Sequence, residues 1–205
     1  MNDLLRPGDL EPLQGHEEVV SGQTVLDFWR WALGDLRMNT ARGYLVEYLV
    51  AKALGDKSRI RVEWGPHDIT ADDGTLIEVK TSGYLQSWAT RKLSTPSWTF
   101  RSVTTAQVWA EDLGAYRAID PSDRVHVWIF ALQTCTDPDR YHPLNLDQWT
   151  FRVMPHRQLL DTGQRSAGLS FFDRHGVSAI GYSELRDAVQ TARAANDQLG
   201  RSVSA

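Results

Sequence analysis

An aspartate, a glutamate and a lysine fall within one short run, HDITADDGTLIEVKTS, residues 67 to 82. Alternation along TLIEVK puts Leu76, Glu78 and Lys80 on one face of a strand and Ile77 and Val79 on the other. The register of the hairpin decides what Glu78 faces. A two-residue loop at Asp73-Gly74 would oppose Asp68 to Val79 and mix a charge into the apolar face. A three-residue loop, Asp72-Asp73-Gly74 with the glycine left-handed, pairs Ile69 with Ile77 and keeps that face apolar. It also sets Asp68 opposite Glu78. Facing carboxylates repel unless positive charge sits between them. Lys80 supplies part of that charge. A divalent cation, Mg²⁺ or Mn²⁺, would supply the rest on Asp68 and Glu78, with the Val79 carbonyl as a further oxygen ligand. Lys80 would then orient the attacking water or stabilise charge building on a phosphate.

The elements that must carry these groups are visible on either side. Residues 1–20, with Pro7, Gly8, Pro12 and Gly15, read as a flexible leader. From Ser21, an apolar stripe of Val25, Phe28, Trp29, Ala32 and Leu33 predicts a helix ending at Gly34. Asn39 or Thr40 caps a second predicted helix to about Leu54, with Gly55 as its stop. Glu47 lies on the flank of its apolar face. Arg42 projects towards that face, where it would meet a buried carboxylate or close the domain edge. RIRVEW alternates as a strand, and the hairpin follows. A helix or helical turn is expected over GYLQSWATRKL, and VHVWIFALQT is the strongest buried-strand signal. FRVM and SFFD read as short strands, and HRQLLD as a short helix. Ser183 would cap a last helix, ELRDAVQTARAAND. The pattern predicts an α/β (α+β) fold with one mixed sheet flanked by helices, as a single domain over 21–200 with its core at 40–134 and a C-terminal extension at 135–200.

At the hairpin the sequence resembles the PD-(D/E)XK nuclease superfamily, which carries an acidic residue at the start of one strand and E-x-K on the next. Asp68 and Glu78-Val79-Lys80 occupy those places, although His67 is inserted between Pro66 and Asp68. The order helix, three strands, helix, strand corresponds to residues 40–134. The resemblance implies a restriction-endonuclease-like fold and Mg²⁺-dependent hydrolysis of phosphodiesters in DNA, with RNA not excluded. It implies Asp68, Glu78 and Lys80 as catalytic residues, Glu47 as an accessory acid on the preceding helix, and Gln86 as a polar residue lining the site. Cutting both strands would favour a homodimer. Restriction, defence or repair are the settings such nucleases occupy.

Composition sets limits on this reading. The net charge of −4 disfavours nucleic acid as a partner, but Val79 to Ala110 contains no acidic residue while holding Lys80, Arg91, Lys92 and Arg101. Trp88 and Trp98 interleave with these bases, a pattern suited to stacking on bases and holding phosphates. Trp29, Trp31, Trp64, Trp128 and Trp149 fall in helix or strand patterns and are expected in the core. His67 is within reach of a metal or phosphate but suits a packing role equally; the other histidines have no ligand spacing. The lone Cys135 is expected to be a buried thiol and excludes an internal disulfide. No apolar run is long enough to span a bilayer and no leader has a secretory h-region, which predicts a cytoplasmic protein without a membrane partner. Two other readings use the same residues: a catalytically inactive nucleic-acid-binding or complex-assembly domain of the same fold, and an interaction domain in which the hairpin is incidental.

Overall fold

The structure is a computed structural model and describes residues 23–58, 61, 65–88, 92–100, 106–110 and 112–203. The leader, most of RIRVEW, Arg91 and Arg101 lie outside the described residues. The first helix, α1 (Val25–Leu33), starts at Thr24 rather than Ser21. The Thr24 hydroxyl accepts the Asp27 amide while the Asp27 carboxylate accepts the Thr24 amide, a reciprocal capping box. The second helix, α2 (Asn39–Ala53), ends where Gly55 takes φ +68°, a left-handed stop of the kind read from the sequence.

The short strand β1 (Ile69–Thr70) pairs antiparallel with β2 (Leu76–Gly83), Ile69 opposite Ile77 and Thr70 opposite Leu76. The turn closes through Ala71 and Thr75 around Asp72, Asp73 and Gly74, whose φ is +82°. The apolar face fixed this register: a slip by one residue would exchange buried Ile69 and Ile77 for charged neighbours. A side chain at Gly74 would meet no atom within 4 Å, so the cost of Gly74→Ala is backbone strain alone. It is expected to destabilise by about 1–2 kcal/mol, seen as a thermal midpoint a few degrees lower.

Beyond β2 the chain forms β3 (Ser97–Thr99), a hairpin of β4 (Ala106–Ala110) and β5 (Ala115–Ile119), and the single turn α3 (Pro121–Arg124). Within the span expected to hold a helix or helical turn, residues 84–88 make a bend and turn, and residues 89–91 lie outside the described residues. The central strand β6 (Val127–Gln133) runs parallel to β2 and antiparallel to β7 (Trp149–Pro155). The main sheet therefore has the order β1-β2-β6-β7 and is mixed. Every residue of β6 is buried, as its unbroken apolar run requires of a strand covered on both faces. Next come α4 (His156–Asp161), β8 (Ser166–Gly168), which pairs with β3, then α5 (Leu169–Arg174) and α6 (Leu185–Val203).

Each face of the sheet has its own core. On one, Ile77, Val79, Ile129 and Phe151 pack under Val46 and Val50 of α2 and Leu185 and Val189 of α6. On the other, Trp128, Phe130 and Met154 pack against Trp98, Phe100, Phe171 and Phe172. Each of these side chains contributes about 1.5–3 kcal/mol on burial. Five sequence readings are corrected. SFFD is helical, because a four-residue apolar run does not distinguish strand from helix and both phenylalanines reach the core from a helical turn. Ser183 sits inside a 3₁₀ turn, and Glu184 instead accepts the Gly181 amide ahead of α6. Trp29 and Trp31 are 46% and 85% exposed, so they are not core residues. Cys135 is half-buried, its thiol donating to the Asp137 carbonyl. Arg42 is buried but has no carboxylate partner among the described residues. No described helix is long and apolar enough to cross a membrane.

Candidate active site at the β1–β2 hairpin

Asp68 immediately precedes β1, and its backbone amide donates to the Ile77 carbonyl, just ahead of the Ile69–Ile77 pair. This brings Asp68 close enough to Glu78 for their charges to interact. Its Oδ2 accepts the Val79 amide at 2.7 Å. Amide and carbonyl of one strand residue point to the same side, so the Val79 carbonyl faces the same edge of β2 as the Asp68 carboxylate.

Glu78 and Lys80 lie on the opposite face of β2 from the Ile77–Val79 stripe, beside Trp128 and Phe130 of β6. Glu78 is only 5% exposed. Its Oε1 accepts Lys80 Nζ at 2.7 Å, and its Oε2 lies 3.3 Å from Arg124 Nη2. Arg124 is fixed in turn by its Nε, which donates to the Pro66 carbonyl. Lys80 Nζ also stands 5.8 Å from the Trp128 ring centroid. Glu47, on α2, is held by Arg61 through both carboxylate oxygens, and Arg61 stacks 4.8 Å from the Tyr44 ring.

Three acids thus share one neighbourhood with three cations, but the balance is uneven. Burial pushes the Asp68 carboxyl up to about 7, and the Glu78 charge pushes in the same direction; Lys80 and the Val79 amide pull it down, while Glu47 adds to the rise. Asp68 is therefore the member of the set that the surroundings neutralise least. Burial lowers the proton affinity of His67; its Nε2 pairs with Thr70 Oγ1 at 2.8 Å, and its Nδ1 is buried without a hydrogen bond among the described residues.

Among the described residues no three His, Cys, Asp or Glu side chains gather closely enough to hold a metal ion. The oxygens at this edge belong to two carboxylates and one backbone carbonyl, and both Glu78 oxygens are engaged by Lys80 and Arg124. A hard cation that keeps most of its own water needs few protein oxygens, so this set fits Mg²⁺ better than a softer metal.

The remaining sequence candidates separate. Gln86 lies beyond the end of β2, where its Oε1 accepts Arg42 Nη2 at 3.1 Å and its Nε2 donates to the Gly83 carbonyl at 3.0 Å. Trp88 is 67% exposed and Lys92 is exposed, so both are available to a ligand. Trp98 is not: it is buried, and its indole N–H donates to the Ala131 carbonyl at 3.1 Å, which makes it a core residue. Sequence reasoning missed Arg61 and Arg124. Arg124 reaches Glu78 from the end of the single turn α3 and Arg61 reaches Glu47 from outside the described elements, and a long side chain so placed has no periodic signature. Arg124→Ala is expected to cost about 1–3 kcal/mol, because Glu78 stays buried with one cation and the Pro66 tie is lost; a denaturant titration reads this as a lower midpoint at unchanged slope.

Compared with protein-family models, with curated proteins and with solved structures, the chain matches none.

Proposed function

We propose that the chain is a metal-dependent endonuclease of restriction-endonuclease-like fold that hydrolyses phosphodiester bonds in DNA. The observation that carries this reading is the approach of half-buried Asp68, just ahead of β1, to buried Glu78 on β2, with Lys80 bonded to Glu78 and no salt bridge to Asp68 among the described residues. Carboxylates so arranged raise the free energy of the empty fold, and a divalent cation relieves it. Asp68, Glu78 and the Val79 carbonyl would hold that cation, which supplies Lewis acidity at the phosphate and lowers the proton affinity of bound water. In hydrolysis the water oxygen bonds to phosphorus while the ester oxygen leaves and takes up a proton. Lys80, with about 29% of its side chain exposed, reaches the surface where a phosphate would arrive and offsets the charge that grows on it. Arg124 and Arg61 position Glu78 and Glu47 rather than touch substrate.

The test is incubation with supercoiled plasmid, linear duplex, single-stranded DNA and RNA in Mg²⁺ or Mn²⁺. Wild type is expected to cut DNA, EDTA to stop it, and Glu78→Gln to abolish it. If wild type and Glu78→Gln are equally inert on every form, the enzymatic reading falls.

A second reading is favoured by the double engagement of Glu78, whose two oxygens are both occupied by cations. A domain of the same fold that binds DNA without cutting it could keep such a closed cluster. Binding that persists in EDTA and in Glu78→Gln, with no cleavage, selects this alternative.

A further inference from the structure

A cavity of about 480 Å³ opens beyond the C-terminal end of β2. Its walls come from three separate segments: Leu36 and Arg37 between α1 and α2, Gln86 and Ser87 after β2, and Pro138 and Tyr141 between β6 and β7. The volume falls within the roughly 300–1,000 Å³ of small-ligand sites.

Arg42 lies directly behind this wall. It is 2% exposed, and its guanidinium donates to the Leu85 carbonyl at 3.0 Å, to Asn39 Oδ1 at 2.6 Å and to Gln86 Oε1 at 3.1 Å. All three acceptors are neutral, and Nε is buried with no hydrogen bond among the described residues. A buried cation is ordinarily matched by a carboxylate, because desolvation is costly and only an opposite charge offsets it well. Here the wall of the cavity carries that uncompensated charge. Arg37 on the rim adds none, because Asp35 pairs with it at 2.9 Å. The site is also built closely: a Cβ on Gly83 would stand 3.0 Å from Arg42 Nη1, so the backbone of β2 leaves room for the guanidinium. Gln86 has its amide fixed by Arg42 and Gly83, which leaves one N–H and one lone pair in a set orientation. Tyr141, half-buried, lines the cavity with its ring; its hydroxyl reaches the Leu36 carbonyl at 3.5 Å and lies close enough to interact with the Arg42 guanidinium.

A flat aromatic wall, a fixed amide edge and a positive background match a base joined to a phosphate. We propose that this cavity holds one unstacked nucleotide of the DNA strand, its base against Tyr141 and its phosphate drawn towards the Arg42 charge. The inference rests on the nucleic-acid reading above and deepens it. Gln86 follows Lys80 by six residues of mostly extended chain, so the cavity lies within about 20 Å of the hairpin, a span that one bound strand covers in a few nucleotides.

The test is an abasic scan. Single-stranded oligonucleotides carrying one abasic site at successive positions are titrated by anisotropy in EDTA at low salt, which keeps cleavage out of the measurement. Wild type is expected to lose about tenfold in affinity at one position, the scale of one stacked base. Tyr141→Ala should bind the intact strand about tenfold more weakly and no longer respond to that position. Ser87→Trp, which fills the cavity from another segment, should reproduce this if Tyr141→Ala does not fold. Uniform affinity along the scan, or a sensitive position that survives both variants, overturns the inference while leaving DNA binding intact. A free deoxynucleoside monophosphate that binds as tightly as the strand also overturns it, assigning the cavity to a soluble nucleotide. The abasic signature without plasmid cleavage would defeat the endonuclease reading and keep the cavity assignment. A protein that binds no strand at low salt defeats both.

Discussion

Lys80→Met is expected to leave a folded protein whose DNA cleavage in Mg²⁺ falls by two to three orders of magnitude. The methionine keeps most of the aliphatic stem beside Trp128, and Glu78 keeps Arg124 as a counter-charge, so the hairpin has no reason to open. What disappears is the one ammonium bonded to Glu78 at 2.7 Å and partly open to solvent. Removing one preorganised group that stabilises transition-state charge costs roughly 10²–10³ in rate. Binding to the same DNA in EDTA should change only a few-fold, because one phosphate contact among several is lost. Lys80→Arg restores the charge on a longer, planar group and should recover activity only in part. Equal rates for wild type and Lys80→Met, with metal and substrate saturating, would remove Lys80 from the chemistry.

The hairpin was legible in sequence because two independent constraints agree on it. Ile69 and Ile77 must share a face, and only a three-residue turn with left-handed Gly74 permits that; the approach of Asp68 to Glu78 then follows. The strand β6 was legible because a central strand covered on both faces has to be apolar throughout. The counter-charges were not legible. Arg61 and Arg124 are distant in sequence from the acids they hold, and only the fold brings the Pro66 carbonyl and the end of α3 together. Nor was the fate of individual tryptophans. Trp98 has basic residues nearby in sequence but its indole reaches the Ala131 carbonyl inside the core, whereas Trp29 fits the helical stripe of α1 and yet is exposed. Local pattern reports which face a residue shares, not whether another element covers that face.

The same unevenness of charge at the hairpin sets the expected response to pH. Asp68 titrates near 7 in the folded protein against an ordinary carboxyl value of 3.8, so between these limits the folded state holds a proton that the unfolded state has lost. Stability therefore decreases as pH rises from about 4 to about 7, by up to about 4 kcal/mol for a shift of about three units. Asp68→Asn keeps an oxygen that can accept the Val79 amide and removes the charge. At pH 8 and without divalent metal it is expected to melt about 5–10 °C higher than wild type, the scale on which a few kcal/mol moves a domain of this size. At pH 4, where the wild-type carboxyl is protonated in the fold, the two should melt close together. Millimolar Mg²⁺ should raise the wild-type midpoint at pH 8 and leave that of Asp68→Asn nearly unmoved, because a cation binding only the folded state stabilises it by mass action and the variant has lost a ligand. A variant that melts lower than wild type at pH 8, or a wild type equally stable at pH 5 and pH 8, would show that Asp68 is already fully compensated, and the case for a cation at this edge of the sheet would lose its physical basis.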